Sequence, residues 1–177
     1  MKHKQDKQFF VLAHNIRSLL NVGSIFRTSD SLGVTKLYLS GYTATPESNH
    51  KLIKTSLGAE QSVPWEYGKS AKRLVDKLKK DHSGIKIVGL ENNILGKKVF
   101  QSPAYKPKFP LLLVLGEETN GIPKSLRELC DEFIEIPMYG QKESLNVSVA
   151  FGIAAYGLIH YPYNADIRRN KKVPPKI

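Results

Sequence analysis

Residues 111–115 read Leu-Leu-Leu-Val-Leu, and no position in that run is polar. Successive residues of a strand point to opposite faces, so a strand with one wet face alternates apolar and polar side chains. A strand that is apolar throughout must be covered on both faces, as in the middle of a parallel sheet flanked by helices. The rest of the chain supplies what such a sheet needs. Apolar runs at 8–13 (QFFVLA), 35–39 (TKLYL), 85–90 (IKIVGL) and 133–136 alternate with stretches at 21–32, 49–57, 70–81 and from Leu145 onward, whose apolar residues recur at helical spacing. Strands and helices in alternation imply an α/β fold: a mostly parallel sheet with helices on both faces.

Local chemistry places the element ends. Ser70 caps an amphipathic helix that buries Ala71, Leu74, Val75 and Leu78 and keeps its lysines as a solvated face. Gly33 and Gly58 end the helices before them, residues 63–67 are a short extended piece containing Pro64, and Pro137 stops the strand at 133–136. The segment 92–110, with Pro103, Pro107 and Pro110, is long for a loop in a compact domain and is expected to cover or contact something.

At 177 residues the chain is expected to form a single domain, residues 1–177, with short basic tails at both ends. Lys and Arg number 27 against 16 acidic residues, a net charge of +11. That imbalance favours a polyanionic partner, because phosphate neutralisation supplies most non-specific affinity for nucleic acid; it does not separate RNA from DNA. Cys130 is the lone cysteine, and the five histidines lack ligand spacing, so no disulfide and no metal are expected. No apolar run has the length of a membrane span, and the expected location is the cytoplasm.

Two polar loops follow strand ends. One is Gly-Glu-Glu-Thr-Asn-Gly after residue 115; the other runs from Pro137 to Ser144 and Asn146, at the start of the last helix. Backbone N–H groups at a helix start lack intrahelical partners, so Ser144 and Asn146 are placed to cap the helix or to meet a small polar ligand. Loops of this kind form the usual ligand crevice of an α/β sheet. Gly116 and Gly121 have the spacing of a Walker A loop, but Ile122 stands where that motif needs lysine, and there is no G-x-G-x-x-G for a dinucleotide.

Three stretches, N-V-G-S-I-F-R-T at 21–28, G-E-E-T-N-G-I at 116–122 and I-P-M-Y-G-Q-K-E-S-L-N-V-S-V-A at 136–150, resemble in order the three motifs of the SpoU, or TrmH-like, RNA ribose 2′-O-methyltransferases of the SPOUT superfamily. The resemblance covers most of the chain. It implies a C-terminal deep trefoil knot, which connection rules alone would forbid. It also implies a homodimer formed through the knot region, S-adenosylmethionine as cofactor, and tRNA or rRNA as partner. Members acting on ribosomal RNA often carry an added N-terminal RNA-binding domain, whereas here little precedes the first strand, which leaves the target open.

By the same resemblance the cofactor contacts fall on Leu115, Gly116, Gly121, Ile136, Met138, Leu145 and Asn146. Ile136 and Met138, each taken alone, are better read as core packing. The resemblance gives the catalytic set as Arg27, Asn21, Glu117, Ser144 and Asn146. Methyl transfer from a sulfonium is an in-line displacement in which a cation loses its charge, so the protein chiefly positions the reactants and excludes water. Arginine is a difficult base, which favours charge stabilisation and phosphate positioning as the role of Arg27. Arg17, with no motif around it, is expected to be a solvated helix residue. Two alternatives stay open, a base-methylating SPOUT enzyme and a catalytically silent RNA-binding protein. Arg27, Glu117 and Asn146 count against the second.

Overall fold

The computed structural model describes residues 7–92, 94, 97–98 and 106–160. The expected basic tails and much of the segment 92–110 lie outside the described residues. Seven strands form one sheet: β1 (Phe9–His14), β2 (Lys36–Ser40), β3 (Trp65–Gly68), β4 (Lys86–Leu90), β5 (Lys97–Lys98), β6 (Leu111–Leu115) and β7 (Glu132–Glu135). Their order is β3-β2-β1-β6-β4-β7-β5, and every pairing is parallel.

β6 lies between β1 and β4, in register at Ala13, Leu115 and Leu90. Leu111, Leu113 and Leu115 face a layer built by α1 (Leu19–Ser31) and α6 (Val147–His160); Leu112 and Val114 face α4 (Ala71–Asp81) and α5 (Lys124–Arg127). All five are at most 1% exposed. Burying one such side chain contributes about 1.5–3 kcal/mol, so a polar residue on either face of β6 would cost on that order before any penalty for its own desolvation. β1 obeys the same rule: Phe9, Val11 and Ala13 join the α1/α6 layer, and Phe10 and Leu12 join the α4/α5 layer.

The caps follow local chemistry. Ser18 Oγ accepts from Asn21 N at the start of α1, Ser70 Oγ accepts from Arg73 N at the start of α4, and Gly33 leaves α1 with φ 63°. The stretch 49–57, expected as one helix, departs from expectation. Only α2 (Ile53–Ser56) is helical there; Leu57 and Gly58 then take left-handed φ values of 52° and 90°, and α3 (Ala59–Ser62) starts afresh. The Thr45 and Ser48 side chains exchange hydrogen bonds with each other's backbone N–H, and Asn49 Oδ1 accepts from Lys51 N. These side-chain bonds offer the backbone turns in place of a helix. β5 is a second departure, a two-residue edge strand inside the segment read as loop.

Candidate active site

From β1 the chain steps outward to β2 and β3, then returns to place β4 on the far side of β6. The carboxyl ends of β4, β6 and β7 open there on a crevice of about 370 Å³. This is the position at which open α/β sheets hold ligands, and the volume is that of a small-molecule pocket. Leu90, Leu115, Ile136, Leu145 and Val147 form its apolar walls, while Glu91, Glu117, Glu118 and Glu143 bring carboxylates to it.

The loop after β6 folds back on itself. Glu117 and Gly121 exchange backbone hydrogen bonds of 3.0 and 2.9 Å, Gly121 has φ 66°, and a Cβ on Gly116 would come within 2.2 Å of the Gly121 carbonyl carbon. Glycine is required at both positions, at one for its torsion and at the other for close approach. Glu91 Oε2 accepts from Ile122 N at 2.7 Å, and Asn92 Nδ2 donates to Glu143 O at 3.0 Å. The two residues after β4 thus hold both loops.

Asn146 is the cap of α6: its Oδ1 accepts from Ser148 N at 2.9 Å and from Ser148 Oγ at 2.7 Å. Its Nδ2 donates to Asn21 Oδ1 at 2.9 Å, and Asn21 Nδ2 donates to Glu118 Oε1 at 3.0 Å. Residues far apart in sequence, one from each of the three stretches singled out above, are therefore joined by two hydrogen bonds. Glu118 also accepts from Arg17 N and Ser18 N at 3.1 Å, satisfying donors just ahead of α1. Burial pushes the Glu118 carboxyl up, but the bonds from Asn21, Arg17 and Ser18 outweigh it and hold the group below the usual glutamate range. Glu117 is also held low, first by the hydrogen bond from Asn120 Nδ2 and also by Tyr42 and the Arg17 charge.

Of the expected residues, Leu115, Gly116, Glu117, Gly121, Ile136, Ser144, Leu145 and Asn146 line the crevice. Asn21 is buried behind it and reaches it through Asn146 and Glu118. Met138 is half-buried and is not part of the lining. Arg27 is not part of it either; it is exposed on α1, in a shallow hollow with Ser24, Thr28, Ser31, Leu32, Gly152 and Tyr156. Arg17 corrects one part of an expectation: its side chain is exposed as expected, but it is neither helical nor unpaired. It stands in the loop before α1, and its Nη2 lies 2.6 Å from Glu117 Oε1. Sequence reading also passed over Glu118, Glu91 and Asn92. Adjacent glutamates at 117 and 118 look alike on paper, and only the side of the turn on which each falls separates them.

A parallel α/β sheet with a polar, glycine-closed crevice at the carboxyl ends of its middle strands is the arrangement of the doubly wound class, with its ligand-binding position open. Residues 8–156 match the model of the SpoU rRNA Methylase family, and the chain belongs to that family. It is 36% identical over 155 residues to the tRNA (guanosine(18)-2′-O)-methyltransferase of Aquifex aeolicus, covering 86% of this chain and 69% of that one. It is 31% identical over 153 residues to the 23S rRNA (guanosine-2′-O-)-methyltransferase RlmB of Salmonella typhi, covering 85% of this chain and 59% of the relative. In structure it is similar to the SpoU methyltransferase AviRb of Streptomyces viridochromogenes, solved with AdoMet, with a TM-score of 0.76, 30% identity, and coverage of 89% of this chain and 59% of that one. The chain thus spans only part of the length of these proteins.

Proposed function

We propose that the protein transfers the methyl group of S-adenosylmethionine to a ribose 2′-hydroxyl of structured RNA, tRNA or rRNA. The observation that carries this reading is the Asn146–Asn21–Glu118 junction, which ties three distant stretches to one crevice. The crevice fits the cofactor. Its apolar walls at Leu115, Ile136 and Leu145 suit a nucleobase, its loop backbone offers hydrogen bonds, and its carboxylates suit a ligand bearing ammonium and sulfonium charge. When bound, the cofactor supplies an electrophilic methyl group. Ser144 and Asn146 orient the acceptor ribose at the crevice mouth, Glu117 fixes the loop beside it, and the apolar walls exclude water. Arg27 stabilises charge developing on the acceptor oxygen and holds the adjoining phosphate.

The same reading takes residues 1–177 as one methyltransferase domain with the deep trefoil knot, working as a cytoplasmic homodimer. Among the described residues no helix is long and apolar enough to cross a membrane, and no three metal-ligating side chains are gathered. α6 is apolar on nearly all sides, and Val149 and Tyr156 on it are half exposed, which a second copy would cover. Arg27 borders that uncovered face and lies outside the crevice lining of its own chain, which supports a dimer in which each copy supplies an arginine to the other's site.

Labelled S-adenosylmethionine and total RNA from cells lacking the protein test the activity. The expected product is a 2′-O-methyl nucleoside, and a single deoxy substitution at the mapped target abolishes transfer while barely weakening binding, since one hydroxyl adds little beside many phosphate contacts. Label on a base, with transfer intact on the deoxy substrate, would replace the ribose reading by the base-methylating one.

A further inference from the structure

We propose that Tyr42 and Tyr67, with the Arg17 guanidinium between them and the crevice, form a stacking platform for an unpaired nucleobase of the RNA beside the methylated ribose; this rests on the RNA-methyltransferase reading above. The three side chains stand at or just beyond the carboxyl ends of β3, β2 and β1, on the same edge of the sheet as the crevice. Contacts run along that edge without a break. Tyr67 Oη donates to Gly41 O at 2.7 Å, Arg17 Nε donates to Tyr42 Oη at 3.2 Å, and Arg17 Nη2 meets Glu117, which lines the crevice. Neighbouring strands lie about 4.8 Å apart, so the row from β3 to β6 is about 14 Å long, enough to seat a base outside a ribose whose hydroxyl points into the crevice.

Two features set these tyrosines apart from scattered surface aromatics. Both rings stay open, Tyr42 at 50% and Tyr67 at 44% exposed, although each hydroxyl is tied down. Rings fixed in advance lose little freedom when a base stacks on them. The backbone beside Tyr42 is also fixed, through left-handed turns that asparagine and glycine accommodate. Asn15 has φ 58° and Gly41 has φ 66°; Asn15 Oδ1 accepts from Tyr42 N at 3.3 Å, and a Cβ on Gly41 would lie 1.8 Å from that oxygen. Leu57 is the one other non-glycine residue of positive φ among the described residues.

The chemistry selects the occupant. Unpaired bases stack on aromatic rings and on guanidinium planes, whatever their sequence, and the Arg17 Cζ lies 5.6 Å from the Tyr42 ring centroid. Arg17 is already paired with Glu117, so the platform offers flat surface more than free charge, while the basic excess of the chain brings the polyanion to it.

The test uses the full chain and a short single-stranded oligouridylate carrying 5-iodouridine. Irradiation should cross-link the probe to Tyr42 or Tyr67. The Tyr42→Leu/Tyr67→Leu double variant should bind it about tenfold more weakly or worse, with the salt dependence of binding unchanged because no phosphate contact is lost. Tyr42→Phe, which keeps the ring, should stay within roughly threefold of the parent and shows that the loop still folds. Cross-links confined to other segments, or full affinity in the double variant, would overturn the platform while leaving the methyltransferase reading in place. If the parent chain binds no RNA and transfers no methyl group, the underlying reading fails and the platform with it.

Discussion

One amide, that of Asn146, both caps α6 and holds Asn21, so its two ends serve folding and site geometry together. Asn146→Ala should therefore lower stability by about 1 kcal/mol through the lost cap, and should weaken both cofactor binding and turnover. Arg27→Ala should behave differently. Arg27 lies outside the crevice, so cofactor affinity measured by calorimetry should stay near the parent value while turnover falls by on the order of 2.7–4 kcal/mol of transition-state stabilisation, by analogy with an oxyanion-hole donor. Near-normal turnover in this variant would remove Arg27 from the mechanism. Glu118 gives a pH prediction. Its carboxyl is held below the ordinary 4.5 in the folded chain, so the unfolded chain binds the proton more readily. The stabilisation is complete above that ordinary value and is lost as pH falls through it toward the folded value. The urea midpoint of the parent chain should accordingly drop more steeply below about pH 4.5 than that of Glu118→Gln. Parallel curves would mean that the Asn21 and backbone bonds to Glu118 do not persist in solution.

The loop between β6 and α5 shows how an element carries the site. Gly116→Ala places a Cβ against backbone atoms at 2.2 and 2.3 Å, with no flexible side chain able to give way, so the loop must open. Cofactor affinity should fall more than about tenfold while the β6 core, made by other residues, keeps the chain folded; circular dichroism and calorimetry together read the two effects. Much of this element was legible beforehand. LLLVL announces coverage on both faces because strand periodicity leaves no other arrangement, and Ser70 shows the same directness, since a cap acts within one turn. Arg17 and Glu118 were not legible. Their roles arise from a loop meeting residues about a hundred positions away, and nothing in the local sequence of either marks that meeting. The segment 49–57 failed for the opposite reason: a helical pattern was present, but the Asn49 side chain takes the Lys51 N–H at one end and Leu57 turns left-handed at the other.

At the scale of the whole molecule, α6 sets the remaining problem. Phe151, Ala154, Ala155, Leu158 and Ile159 are buried against the sheet, yet Val149 and Tyr156 on the same helix remain half exposed, beside the hollow that holds Arg27. A helix apolar on nearly every side belongs in an interior, and a second copy of the chain would provide one. Sedimentation should then give twice the 19.9 kDa chain mass. Tyr156→Glu puts a charge into that contact without touching the crevice lining, and should shift the protein to monomer. The crevice is lined by one chain, so the monomer should still bind S-adenosylmethionine, with affinity within about tenfold of the parent. Transfer to RNA should be lost, because each crevice would lack the arginine supplied by the other copy. A Tyr156→Glu monomer with full turnover would show instead that Arg27 reaches the acceptor within its own chain, or takes no part in the reaction.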